Sequence, residues 1–181
     1  MKKDDIISLP NPILRKRSTR IGHVDASTRK LAEDMISATL DWEQSRPHEI
    51  GVALAAIQVG KPYRLIVIRE DFEDRANPGF VVLVNPEIVK QEGEPTTDME
   101  GCLSVPDIYG QVLRYPKVKV KALNLDGKEV RLTANGFLAR VLQHEVDHTK
   151  GQLFIDHVKS PDDMFELQED GSFVPAKSHE D

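Results

Sequence analysis

Residues 117–150 read KVKVKALNLDGKEVRLTANGFLARVLQHEVDHTK and predict a β-hairpin followed directly by a helix. Basic and apolar residues alternate along 117–123, which is typical of a strand with one face in water. Asp126-Gly127 then predicts a tight turn into a second strand. Apolar residues at helical spacing follow, and Gly151 is well placed to end the helix. The stretch therefore predicts both antiparallel β-structure and a helix.

The rest of the chain adds one more helix and several strands. A helix is predicted to begin near Asp25 or Ser27, because either side chain could cap it. Runs rich in β-branched residues predict further strands. The order of helix, strands, hairpin and helix favours an α+β fold with a mainly antiparallel sheet. The predicted strands lie at 63–69, 80–84, 87–91, 111–115, 117–123 and 129–133, and the second helix spans about 135–150.

Length, charge and cysteine content limit the class of protein. The chain has 181 residues, so we expect one domain, or one domain with a tail. Its formal net charge of −6 argues against a general binding surface for DNA or anionic membranes. No apolar run is long enough for a signal peptide or a membrane span. The single cysteine, Cys102, excludes an internal disulfide, so a cytoplasmic protein is expected. We place the domain at 1–159 and a short, acidic, loosely held tail at 160–181.

Residues 144–148 read His-Glu-Val-Asp-His and predict a metal site on the second helix. His144 and His148 are four residues apart, so both side chains lie on one face of a helix, as capture of a divalent metal requires. Glu145 lies on the adjacent face, where it can take a proton from a metal-bound water.

The third ligand decides the class of metal site. One protease family has a third histidine six residues after the second, but that position is Phe154 here. Another protease family uses a glutamate from a later helix, and Glu166 and Glu169 lie at a suitable distance but in the aperiodic acidic tail, which is a poor helix candidate. The remaining soft ligand is Cys102, whose thiolate is a strong donor for a transition metal.

Three separated motifs together resemble the peptide deformylase family. They are GVALAAIQ at 51–58, EGCLS at 100–104 and QHEVDH at 143–148, and the similarity extends over roughly residues 9–158. The resemblance implies removal of the formyl group from the N-formylmethionine of newly synthesised polypeptides. It also implies an α+β fold of mainly antiparallel sheets around a central metal-binding helix, with an N-terminal helix. One ferrous ion per chain is implied, which zinc, nickel or cobalt can replace.

The resemblance also implies a role for individual residues. Glu145 would act as general base and then as general acid. The side-chain amide of Gln58 and the backbone N–H of Leu103 would donate hydrogen bonds to the developing oxyanion, a contribution worth roughly 100- to 1000-fold in rate for one donor. Three side chains would hold the metal: Cys102, His144 and His148.

The resemblance further implies a methionine pocket beside the metal, and helix geometry indicates which residues could line it. Val141 precedes His144 by three residues and Phe137 lies one further turn back, so both can line it together with Val52. Ala53 stands where the family usually has glycine, in the segment that pairs with the substrate backbone, and could alter which second residue is accepted. Gly101, beside the predicted cysteine ligand, completes the residues assigned to substrate binding.

Partners and alternatives follow from the same features. The implied partners are N-formylmethionyl nascent peptides. Ribosome contact is compatible with the resemblance, but the long basic C-terminal helix by which some members dock is not evident in this sequence. Two alternatives stay open: a zinc endopeptidase built on the same helix motif, and an inactive relative that only binds a metal or formyl-peptide ends. Glu145 and Gln58 speak against the second, because neither is needed merely to hold a metal.

Overall fold

The computed structural model describes residues 1–46 and 48–176, which form two α-helices and two antiparallel sheets. This confirms the predicted α+β class with mainly antiparallel sheets. Short 3-10 turns, among them Ala56–Val59 and Phe154–His157, lie between these elements. The helices are α1 (Ala26–Gln44) and α2 (Gly136–His148). The strands are β1 (Ala53–Ala55), β2 (Leu65–Arg69), β3 (Phe80–Glu92), β4 (Thr96–Cys102), β5 (Val105–Arg114), β6 (Lys117–Leu123), β7 (Glu129–Asn135), β8 (Met164–Leu167) and β9 (Phe173–Pro175).

The larger sheet, in the order β1-β2-β3-β6-β7, packs between the two helices. Successive side chains of a strand point to opposite faces, and all five residues of β2 are buried. Ile66 packs in an apolar cluster with Leu142 of α2, whereas Val67 packs in a second cluster with Met35 of α1. Burial on both faces explains why β2 is a continuous apolar run rather than an alternating one.

The strands predicted at 80–84 and 87–91 are one long strand, β3. The register against β6 shifts between Val84 and Glu87. Asn85 has a positive φ of 53°, and Pro86 has no backbone N–H to give to the ladder. These two residues form an irregularity that reads as a strand end in the sequence but only bends the strand in the structure.

The smaller sheet has the order β4-β5-β8-β9, and it corrects the prediction of a loose C-terminal tail. Within 160–181, β8 pairs with β5, where Phe165 lies opposite Tyr109, and β9 pairs with β8. Strands of four and three residues are too short to show a period in sequence, and they are held by pairing with an existing sheet. The remainder of the predicted tail, 177–181, lies outside the described residues.

Helix α1 begins after the predicted cap, whereas α2 ends at His148, two residues before the predicted end at about 150. Asp25 caps α1 by accepting a hydrogen bond from the backbone N–H of Thr28 at 3.0 Å. After α2, Gly151 adopts a φ of +77°, and a Cβ there would lie 2.5 Å from the carbonyl oxygen of Arg15. Only glycine fits this position, for both conformational and steric reasons. In the described part of the chain, no helix is both long and apolar enough to cross a membrane.

Candidate metal and active site

The three predicted metal ligands meet in the structure. His144 and His148 lie one turn apart on α2, with their Nε2 atoms 3.1 Å from each other. Cys102, the last residue of β4, places its Sγ 3.4 Å from Nε2 of His148. The three potential ligand atoms all lie within 4.8 Å of one another. One thiolate and two imidazoles form a donor set that suits a transition metal.

The alternative third ligands do not join this group. Phe154 is buried, and its ring stacks on that of His144 at a centroid distance of 6.3 Å. Glu166 lies on β8 opposite Ile108, and with Glu169 it lines a separate polar cavity. Neither glutamate belongs to the cluster of potential ligand atoms found among the described residues.

A buried carboxylate fixes the orientation of the His144 ring. Nδ1 of His144 lies 3.0 Å from an oxygen of Glu100, which leaves Nε2 facing Cys102 and His148. The two oxygens of Glu100 accept hydrogen bonds from Arg114 at 2.9 and 3.1 Å. Burial opposes the charged form, but the bonds from His144 and Arg114 hold the pKa of Glu100 well below its ordinary range. Such partners set the tautomer of a metal-binding histidine.

This carboxylate belongs to a wider buried network that the sequence analysis did not find. Arg140 of α2 also donates to Glu100, at 2.9 Å, and bonds the carbonyl oxygens of Val112 and Thr96. Arg114 further donates to Asp147 at 2.5 Å. The network joins α2 to β4 and β5. Arg140 and Asp147 are seven residues apart and share a face of α2, but no sequence pattern relates them to Glu100 on β4 or Arg114 on β5.

The pKa values of the two histidines shift in opposite directions. Burial lowers the pKa of His148, and the positive charges of His144 and Arg114 lower it further. Burial also opposes protonation of His144, but hydrogen bonds to Cys102 and Glu100 raise its pKa above the ordinary value. The lowered pKa keeps the imidazole of His148 neutral, and a neutral imidazole is the form that binds a metal ion.

Glu145 follows His144 on α2, and both line a cavity that opens beside Cys102. The side chain of Glu145 is buried, and its Oε2 atom has no hydrogen-bond partner among the described residues. Burial raises the pKa of Glu145 to about 7. A carboxyl group with a pKa near neutrality can both accept and return a proton.

The amide of Gln58 is held in one orientation beside Cys102. Its Oε1 accepts a hydrogen bond from the N–H of Ala55 at 2.8 Å, so its Nε2 must point the other way. Nε2 lies 3.1 Å from Oγ of Ser104 and 3.5 Å from Sγ of Cys102. Gln58 is fully buried rather than a surface amide, and it presents a donor next to the metal-ligand cluster.

A cavity of about 350 Å³ opens beside these groups. Every predicted site residue except His148 lies in its wall, whereas His148 is buried behind it. Phe137 is 51% exposed and packs edge-on against Phe72, at a centroid distance of 5.0 Å. Several wall residues were not predicted from the sequence, among them Trp42, Ile50, Tyr109 and Phe173.

Two small residues shape the wall. A Cβ on Gly101 would lie 2.5 Å from the ring of Tyr109, so only glycine allows this ring to pack against β4. Ala53 lies in β1, an edge strand of the larger sheet, and pairs with Ile68 on one side only. An edge strand leaves backbone donors and acceptors available on its other side.

Comparison with known proteins gives a consistent set of relatives. A family model described as polypeptide deformylase matches residues 3–164. Peptide deformylases of Mesorhizobium japonicum and Thermomicrobium roseum are each 45% identical, over 153 residues (84% of this chain, 82% of the relative) and 157 residues (85% of both chains). The peptide deformylase of Synechococcus elongatus, solved in complex with actinonin, matches with a TM-score of 0.78 at 35% identity, covering 86% of this chain and 80% of that one. For the Legionella pneumophila structure the TM-score is 0.75 at 40% identity, with 85% of both chains covered.

Proposed function

The chain belongs to the peptide deformylase family, and we propose that Cys102, His144 and His148 hold the metal on which the reaction of that family depends. As a member, the chain is a hydrolase that removes the N-formyl group from nascent polypeptides. The observation that carries the assignment of the site is the convergence of these three ligand atoms beside Glu145 and the amide of Gln58.

The proposed metal is one ferrous ion per chain, which zinc, nickel or cobalt can replace. The set of one thiolate and two imidazoles supports a metal of this group, because soft and borderline ligands select it over magnesium or calcium. The helix α2 would then be the central metal-binding helix of the fold. When bound, the ion supplies a positive charge that lowers the pKa of a water molecule and polarises the formyl oxygen.

In this proposal, one group of the chain transfers the proton and two groups stabilise the developing negative charge. The carboxylate of Glu145 takes a proton from the attacking water and then delivers it to the nitrogen of the leaving amine. Nε2 of Gln58 and the backbone N–H of Leu103 donate to the formyl oxygen as negative charge develops on it. The bond from Ala55 to Gln58 keeps that donor in place before substrate binds, so no reorientation is needed during the reaction.

The substrate is proposed to bind as an extended strand along β1. The free edge of β1 at Ala53 offers backbone hydrogen bonds to the peptide. Gly101, across the cavity wall, keeps its close contact with Tyr109 and adds no side chain to the peptide path. The methionine side chain then enters the apolar part of the cavity at Val52, Phe137 and Val141.

Enlarging Val141 tests the methionine pocket. Val141→Trp is expected to raise KM for formyl-Met-Ala at least about 10-fold more than KM for formyl-Gly-Ala, since a buried methionine side chain contributes roughly 1.5–3 kcal/mol. Steady-state kinetics on both substrates measures this. Val89→Trp, at an exposed position of β3, is the matched control and should leave the ratio unchanged. Equal losses on both substrates would assign Val141 to the core alone.

Formate release separates the proposed activity from the two alternatives. The enzyme should release formate from formyl-Met-Ala and leave an unformylated oligopeptide intact. Cleavage of the unformylated peptide would favour the zinc endopeptidase. Binding of formyl peptide without formate release, by protein that contains its metal, would favour an inactive relative. The presence of Glu145 and of the oriented Gln58 in one cavity supports the deformylase.

Exposure to air tests the identity of the metal. A ferrous ion held by a thiolate is open to oxidation of both the metal and the sulfur. Enzyme purified without oxygen should contain iron, and its deformylase activity should decay in air, whereas substitution by nickel or cobalt should slow the decay. Metal analysis alongside timed activity assays measures both. A fully active iron enzyme that is stable in air would contradict the proposal.

The partners follow from the substrate. We propose that residues 1–159 carry the catalytic groups of a single domain, to whose smaller sheet β8 and β9 add an edge, and that it acts in the cytoplasm, where formylated chains emerge from the ribosome. Within the described residues, the helices that follow α2 are 3-10 turns of at most four residues, Phe154–His157 and Pro161–Asp163. The described residues thus contain no counterpart of the long docking helix of some family members.

A further inference from the structure

The β8–β9 hairpin lies at the edge of the smaller sheet. Nearly all of it lies beyond residue 164, where the family match ends. β8 pairs with β5, and its turn is closed by hydrogen bonds between Gln168 and Ser172 at 2.8 Å and between Gly171 and Gln168 at 2.9 Å. Gly171 has a φ of +84°, and a Cβ there would lie 3.0 Å from the ring of His48. The hairpin is thus fastened to β5 and rests against the segment that follows α1.

This hairpin contributes Phe173 to the wall of the active-site cavity. The ring of Phe173 packs edge-on against Tyr109 of β5, with centroids 4.9 Å apart, yet the residue is 47% exposed. Tyr109 itself is fixed, because its hydroxyl donates to Glu49 at 2.6 Å and its ring lies against Gly101. An aromatic surface of this kind is rigid and loses little conformational entropy when a ligand covers it.

The aromatic surface formed by Tyr109 and Phe173 belongs to other elements of the fold than the proposed methionine pocket. The pocket is formed by Val52 and two residues of α2, whereas Tyr109 and Phe173 belong to the smaller sheet. With the formyl group at the metal ligands and the methionine at Val52 and Val141, a longer peptide must continue along the rest of the lining. The exposed apolar face of Phe173 is part of that remainder.

We propose that Phe173 is a specificity-determining residue, which contacts the side chains that follow formyl-methionine and favours apolar ones. This inference rests on the proposed function of the site. The occupant is the second or third residue of the substrate, because the cavity is continuous from Cys102 and Glu145 to Phe173. A leucine at these positions buries apolar area against the ring, and a glycine does not.

The test compares formyl-Met-Leu-Leu with formyl-Met-Gly-Gly as substrates of the metal-loaded enzyme. Phe173→Ala is expected to raise the ratio of KM for the leucine peptide to KM for the glycine peptide about 5- to 10-fold, as expected for losing part of the burial of one leucine. Phe173→Leu, which keeps an apolar side chain, should restore most of the preference.

The matched control is Val174→Ala in the same strand. Val174 is 38% exposed, does not line the cavity and points to the opposite face of β9. Val174→Ala should leave the KM ratio at the wild-type value, and this result together with a raised ratio in Phe173→Ala supports the role of Phe173. An unchanged ratio in Phe173→Ala, or an equal change in both variants, would overturn the role of Phe173. Formate release by the wild type would then still support the proposed function. Failure of the wild type to release formate from either peptide would defeat both.

Discussion

Replacing Glu145 with glutamine is expected to lower kcat for formyl-Met-Ala by at least about 100-fold while the metal content stays at the wild-type level. The amide has the shape of the carboxylate but cannot accept a proton from water. Glu145 is buried on the cavity wall, and its Oε2 atom has no hydrogen-bond partner among the described residues that the substitution would break. Formate release and metal analysis of the same preparation measure the two effects.

Two further variants separate the loss of the base from the loss of the metal. Cys102→Ser should release or loosen the metal, since a hydroxyl is a poor ligand where a thiolate is replaced. Glu129→Gln changes an exposed carboxylate on β7 and should alter neither kcat nor metal content. Wild-type turnover by Glu145→Gln would disprove the proton-transfer role assigned to this residue.

The core of the site could be predicted because helical geometry is local. A spacing of four residues brings His144 and His148 to one face of α2 whatever the surrounding fold is. The chain has one cysteine, so few choices remained for a soft third ligand. The structure brings Cys102 to these histidines by way of β4, a strand that the sequence analysis missed. The run TTDMEGC has no alternation of apolar residues and is held by its pairing with β5.

The parts of the site that could not be predicted depend on contacts between distant segments. Phe173 reaches the cavity only because β8 and β9 extend the smaller sheet. Local composition in that region is acidic and aperiodic, so it predicted a tail. Likewise, Glu100 lies two residues before Cys102, but its role becomes visible only when β4, β5 and α2 are packed together.

Arg114 of β5 is a buried cation that joins β4 and α2 beside the site. Its side chain is 6% exposed. It bonds both oxygens of Glu100 and one oxygen of Asp147, and Glu100 in turn orients His144. Removing the guanidinium would leave the buried carboxylates of Glu100 and Asp147 with fewer positively charged partners. Removing one partner of a buried ion pair lowers the stability of a protein more than replacing both partners does, because the remaining charge stays buried without compensation.

Arg114→Met is therefore expected to lower the free energy of unfolding by about 3–5 kcal/mol and to weaken metal retention, because Glu100 loses two of its three hydrogen bonds from arginine and holds the His144 ring less firmly. Chemical denaturation of the metal-loaded protein measures the first effect, and metal content after dialysis measures the second. Arg131→Met is the matched control: Arg131 pairs with Glu129 on β7 but is 71% exposed, so its loss should change stability by less than about 0.5 kcal/mol. If both variants were equally stable and both kept their metal, the buried network would have no role in supporting the site. A destabilised Arg114→Met that still retained its metal would restrict the network to joining α2 with β4 and β5.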